Sequence, residues 1–144
     1  MLKIYLARHG QNIDNINGIL NGHRDEALTQ KGLEQAKEIA EKINGIGLSF
    51  DCIYSSPLKR AFDTAQIISD TTDSPKPKKE PLLIERDFGI MTGKNIEDID
   101  KLCSPNIVKG ELITYFLNPE GAETFPDLMK RAESVYQSAG NCRR

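Results

Sequence analysis

Leu2-Lys3-Ile4-Tyr5-Leu6-Ala7-Arg8-His9-Gly10 opens the chain as an apolar run that stops at two basic residues and a glycine. Such a run suits a strand buried in a parallel sheet, so a strand is predicted over residues 2–7. It ends where the chain must turn, and ligands of α/β sheets bind outside the carboxyl ends of strands. His9 places there an imidazole that is largely neutral near pH 7 and able to take up a phosphoryl group. Arg8 offers a planar fork of donors that matches phosphate oxygens. Gly10 lets the backbone approach a ligand closely. Taken bare, the tripeptide favours an ordinary surface or core histidine, and the rest of the chain changes that reading.

Residues 11–27 are rich in Asn, Asp and Gly and read as a long loop, of the kind that is often functional. Thr29 is a good N-cap, and Leu33, Ala36, Ile39, Ala40 and Ile43 follow at helical spacing until Asn44-Gly45. Phe50 to Tyr54 reads as a second strand. Ser56-Pro57 opens a helix with Leu58, Ala61, Phe62, Ala65 and Ile68 on its apolar side. Residues 73–79 form a charged, Pro-bearing loop, and Pro81 to Ile84 a third short strand ending at Glu85. One or two short helices are expected within 94–118, and a final helix from Phe125 to Ser138. This alternation predicts an α/β fold with a parallel-rich sheet flanked by helices.

Further motifs follow His9 in order. They are Asn15; Leu28-Thr29-Gln30-Lys31-Gly32 with Gln35-Ala36; Tyr54-Ser55-Ser56-Pro57-Leu58-Lys59-Arg60-Ala61 with Thr64-Ala65; Glu85-Arg86-Asp87-Phe88-Gly89 with Gly93; and Pro119-Glu120-Gly121-Ala122-Glu123-Thr124 with Arg131. The ordered set, over residues 2 to about 135, resembles the histidine phosphatase superfamily, which includes cofactor-dependent phosphoglycerate mutases and many phosphomonoesterases. The resemblance implies a phosphoglycerate mutase-like fold. It makes His9 the nucleophile that carries the phosphoryl group and Glu85 the proton donor. Arg8, Gly10, Asn15 and Arg60 would bind the phosphate. Arg60 reads otherwise as a solvated helix residue, Glu85 as a surface carboxylate paired to Arg86 or Lys94, and Asn15 as an Asx-turn residue.

The family also carries a second catalytic His in a late His-Gly strand. The sequence contains only His9 and His23, and His23 matches no catalytic position of the family, so it reads as a residue at the rim. The chain is therefore expected to be a single, incomplete domain over residues 1–144, shortened before the second His-Gly, with low or absent activity. The family's second His strand lies beside the first, so the predicted 2–7 strand is expected to lack a neighbour.

Net charge is −2 and aromatics make up 6%, which argues against a nucleic-acid module. No stretch is long and apolar enough to span a bilayer, and no signal-peptide core is present. Cys52, Cys103 and Cys142 lack Cys-x-x-Cys spacing, which argues against a disulfide framework or a zinc site and for a reducing cytoplasm. No metal and no cofactor is called for. The expected partner is a small-molecule phosphate ester, with neither nucleic acid nor membrane and with a homodimer left open.

Phosphoglycerate mutases of the family place Tyr three residues after the acid and Lys eleven after it, and carry an Arg-Arg pair in the following insertion. Here those positions are Phe88 and Ile96, and no such pair lies between Lys94 and Lys130. The preferred function is therefore a phosphomonoester hydrolase acting through a phosphohistidine. A phosphoglycerate mutase is the runner-up, and an inactive phosphoester-binding pseudo-enzyme the non-catalytic alternative.

Overall fold

The structure, a computed structural model, describes residues 2–139. Helices and short strands are mixed along the chain, and the fold is α/β with two small two-stranded sheets, one parallel and one antiparallel. A short helix α1 (Ile13–Ile16) lies inside the long polar loop, and α2 (Gln30–Gly45) and α3 (Lys59–Thr71) are the long central helices. Strand β1 (Tyr54–Ser55) pairs in parallel with β2 (Lys78–Lys79). Beyond them come α4 (Ile99–Cys103), an antiparallel hairpin of β3 (Ile107–Lys109) and β4 (Thr114–Phe116), and α5 (Phe125–Ala139).

Helix α2 begins where its cap predicts. The Thr29 hydroxyl accepts the Gly32 N–H at 3.1 Å, satisfying one of the donors that a helix start leaves free. Its buried face is made of small residues, Gly32, Ala36 and Ala40, which let α2 lie close against α3. Ile39, expected in the core, is 40% exposed. Helix α3 has no capping side chain of its own at Leu58. Asp25 of the polar loop supplies one, accepting the Lys59 N–H at 2.6 Å. A carboxylate from the chain itself thus occupies the positive end of this helix.

A second cluster gathers Met91, Ile99, Cys103 and Phe116, with Leu20, Phe88 and Ile107 packed around it. The rings of Phe88 and Phe116 meet edge-to-face at 5.0 Å. Arg86 is buried between this cluster and α5. It donates to the carbonyls of Glu123 (2.7 Å), Phe116 (2.8 Å) and Leu117 (2.7 Å). Its guanidinium also lies over the rings of Phe116 and Phe125.

Four local expectations are corrected. The opening run is not a buried strand: Leu2 to Arg8 are exposed, Leu6 to 94%, and no ladder pairs them among the described residues. Apolar strand residues are buried by neighbouring strands and covering helices, and here the run stays exposed although the Tyr5 ring meets that of Phe50. The third strand lies earlier than expected. Pro81 cannot donate to a ladder, and residues 81–83 form a single 3-10 turn, with the Glu80 side chain accepting the Leu82 N–H. The strand formed is β2, within the segment taken as a charged loop. The 94–118 stretch holds the β3–β4 hairpin besides its short helices. Finally, the second strand, expected from Phe50 to Tyr54, is confined to β1 at Tyr54–Ser55.

Candidate active site

His9 stands where the opening run meets the polar loop, half-buried, beside a tightly packed Gly10. A Cβ at Gly10 would lie 2.2 Å from the Gly32 carbonyl oxygen, so glycine is needed for the backbone to meet α2. The sequence reading assigned that close approach to a ligand. The approach seen is to the first turn of α2. The Gly10 N–H donates to the Thr64 hydroxyl of α3 at 3.2 Å. Both central helices therefore hold the residue that follows His9.

Nδ1 of His9 lies 2.7 Å from the Gly10 carbonyl oxygen. A carbonyl only accepts, so Nδ1 carries the proton, and in the neutral ring Nε2 carries the lone pair. The ring is held neutral more firmly than a free histidine. Burial lowers its pKa most, the charges of Arg60 and Arg8 lower it further, and the Gly10 bond and Glu85 only partly oppose them. A histidine NMR titration should find His9 with a midpoint below 6.5. An Arg8→Gln substitution should move that midpoint upward, because it removes a repelling charge. An unmoved midpoint would show that Arg8 does not face the ring. The sign for stability follows. With the folded pKa depressed, this group's contribution is present above pH 6.5 and is lost as pH falls through the folded pKa.

Arg60, from the first turn of α3, is 1% exposed. It donates to the Arg24 carbonyl at 2.6 Å and the Gly22 carbonyl at 3.1 Å. Its guanidinium thus ties the polar loop to α3 while placing its charge on His9. The loop has its own buried frame. Asp14, 1% exposed, receives the Arg24 side chain at 2.7 and 3.2 Å. The buried Asn12 amide donates to Asn21 Oδ1 at 2.6 Å. Asn15 is exposed on α1 and closes a capping box with Asn12, in which each side-chain oxygen accepts the other residue's N–H.

Glu85 is exposed, between the turn at 81–83 and a second 3-10 turn at 89–91. Its Oε1 accepts the Arg86 N–H at 2.8 Å. Its charge reaches His9, Arg60, Arg86 and Arg131. Arg8, His9, Arg60 and Glu85 thus share one electrostatic neighbourhood, whereas Asn15 is turned to a structural task. No group of three or more potential metal ligands occurs among the described residues. Concavities of about 480 and 210 Å³ lie at Asn17–Gly18 with Asn95–Glu97, and at Ile90 with Leu102–Ser104 and Asn118–Glu120. None of the four residues lines either.

The sequence reading missed the residues that shape the loop: Asp14, Arg24, Asp25 and Asn12. An acid ten residues before an Arg in a loop gives no periodic signal. Arg86 was read only as a neighbour of Glu85, and no local pattern marks its burial.

Residues 4–141 match the sequence model of the histidine phosphatase superfamily (branch 1). A 2,3-bisphosphoglycerate-dependent phosphoglycerate mutase of Bradyrhizobium sp. (strain ORS 278) is 33% identical over 135 residues, covering 92% of this chain and 65% of the mutase, so the chain spans just under two thirds of that relative. Among solved structures, a mycobacterial glucosyl-3-phosphoglycerate phosphatase in complex with VO3 is similar with a TM-score of 0.73 at 27% identity, over 92% of this chain and 62% of that one. A phosphoserine phosphatase of Entamoeba histolytica in complex with 3-phosphoglyceric acid is 38% identical, with a TM-score of 0.56 over 64% of this chain and 44% of that one.

Proposed function

The chain belongs to the histidine phosphatase superfamily, and from that premise we propose that it hydrolyses a small phosphomonoester through a phosphohistidine at His9. The observation that carries the reading is the Nδ1–Gly10 bond, which leaves Nε2 of a neutral ring as the nucleophile. In the first step the Nε2 lone pair attacks phosphorus and the bond to the leaving oxygen breaks. Glu85, protonated, gives its proton to that oxygen and is left as carboxylate. In the second step Glu85 takes a proton from water as the water oxygen attacks phosphorus. The N–P bond breaks, phosphate leaves, and His9 and Glu85 are restored. Arg8 and Arg60 balance the charge on the phosphoryl oxygens, while Gly10 packs the backbone beside His9 on α2 and Asn15, expected among the phosphate ligands, caps α1 instead.

The exposure of Glu85 bears on its task. A general acid must reach the leaving oxygen, and an exposed carboxyl leaves that path open. We read residues 1–144 as one domain with no nucleic-acid or membrane partner, and no helix among the described residues is long and apolar enough to cross a membrane. We place it in the cytoplasm on three scattered cysteines without Cys-x-x-Cys spacing, of which Cys103 is a free, buried thiol.

The mutase relative favours a second reading, transfer between sugar-acid phosphates. Against it, position 88 is a phenylalanine whose ring packs on Phe116 and has no hydroxyl to offer, and position 96 is the apolar Ile96. The test is acid-quench trapping with a 32P-labelled phosphomonoester, followed by mapping of the acid-labile label. Label on His9 that chases into inorganic phosphate supports the hydrolase. Label that chases only on addition of 3-phosphoglycerate, into 2,3-bisphosphoglycerate, supports the mutase. Turnover with no label on His9 overturns both.

A further inference from the structure

We infer that His23 is a positioning residue for Glu85, a latch that fixes the proposed acid relative to the nucleophile. This rests on the reading of Glu85 as the proton donor. Nε2 of His23 lies 2.7 Å from the Glu85 carbonyl oxygen. The carbonyl accepts, so Nε2 donates, and the neutral Nε2–H ring and the imidazolium both supply that proton. Nδ1 faces Asp87 Oδ2 at 3.8 Å, which sets the ring between two residues of the segment that carries Glu85.

The neighbours of His23 make the contact meaningful. Gly22 and Arg24 give their carbonyls to Arg60, and His23 between them gives its ring to Glu85. Three consecutive loop residues therefore join the buried cation of α3 to the acid. Gly22 has φ +48, and a Cβ there would lie 2.7 Å from the Thr92 hydroxyl, so the tripeptide is also pressed against the segment beyond Glu85. Glu85 needs such a hold. It lies in no helix or strand, its side chain is exposed, and an exposed segment of this kind moves unless its backbone is tied. Arg86 ties it on one side through three carbonyls. His23 ties it on the other. A proton donor displaced by an ångström loses much of its effect, so the latch acts on catalysis without touching substrate.

A proton on the leaving oxygen matters for an alkoxide and little for p-nitrophenolate. The full chain and its Glu85→Gln, His23→Ala and His23→Gln variants should be compared on 2-glycerophosphate and on p-nitrophenyl phosphate. Glu85→Gln should slow the alkyl ester far more than the aryl ester. His23→Ala should show the same split at about tenfold, and His23→Gln, which keeps an N–H donor, should recover most of it. If Glu85→Gln splits the substrates and His23→Ala slows both alike or neither, the latch is wrong and the acid stands. If Glu85→Gln shows no split, the acid reading falls and the latch with it. If neither ester is turned over, the result is the low activity expected of a chain without the second His-Gly, and 15N NMR of the His23 ring decides the contact alone: an Nε2–H tautomer upholds it and an Nδ1–H tautomer overturns it.

Discussion

A His9→Ala chain is expected to turn over phosphomonoesters at least about 10⁴-fold more slowly than the unsubstituted chain, the scale on which enzymes lose a covalent nucleophile. The expectation rests on the absence of a substitute among the described residues. His23 is the other imidazole of the sequence, and its Nε2 is held on the Glu85 carbonyl. Arg60 has both terminal nitrogens on loop carbonyls and no lone pair to give. Stability should barely change, by about 1 kcal/mol or less, because among the described residues the ring's hydrogen bond is to its neighbour's carbonyl. Vanadate should still bind, since Arg8 remains and Arg60 still supplies its charge. The measurements are initial rates with p-nitrophenyl phosphate, a thermal melt, and vanadate binding by calorimetry. A variant that keeps a tenth of the original rate would remove His9 from the reaction. A variant that melts far lower would show that the ring holds the fold instead.

Helix α2 was legible because its signals are local. Thr29 caps it, Asn44-Gly45 ends it, and small residues recur on one face between them. Helix α3 was legible from its apolar spacing, but its cap was not, because the capping carboxylate comes from Asp25 in a loop over thirty residues earlier. The opening run misled for the complementary reason. Its apolar residues report the surroundings a strand requires, and periodicity cannot report whether another strand lies beside it. The β3–β4 hairpin carries β-branched and aromatic residues on both sides of Gly110, a pattern that speaks for strands and was passed over in favour of short helices. At the site, His9, Arg8, Arg60 and Glu85 could be named because motif order fixed them together. What Arg60 and His23 touch could not be named, because their partners are backbone carbonyls, and every residue has one.

Arg86→Leu is expected to be the most destabilising single change at a charged position, at about 4 kcal/mol. The side chain fills a buried slot, and leucine restores part of the apolar volume. What it cannot restore is three donors. The carbonyls of Phe116, Leu117 and Glu123 each lose a charge-assisted bond, and each buried carbonyl left without a partner costs about 1–3 kcal/mol. These costs do not add in full, because Leu117 and Glu123 lie where water can partly replace the lost donor. The loss of the guanidinium over Phe125 and Phe116 adds to them. Against this stands relief from holding a cation in a buried slot, where desolvation lowers the pKa of Arg86. Arg86→Lys should recover little, because a single ammonium cannot reach three carbonyls that a planar fork spans. A fall in melting temperature of about 10–15 °C for Arg86→Leu, with Arg86→Lys nearly as low, is the expected result. A lysine variant as stable as the original would mean that charge alone holds this junction. Because Glu85 hangs between Arg86 and His23, the same loosening should reach the site: in the folded fraction of Arg86→Lys, hydrolysis of 2-glycerophosphate should fall more than that of p-nitrophenyl phosphate.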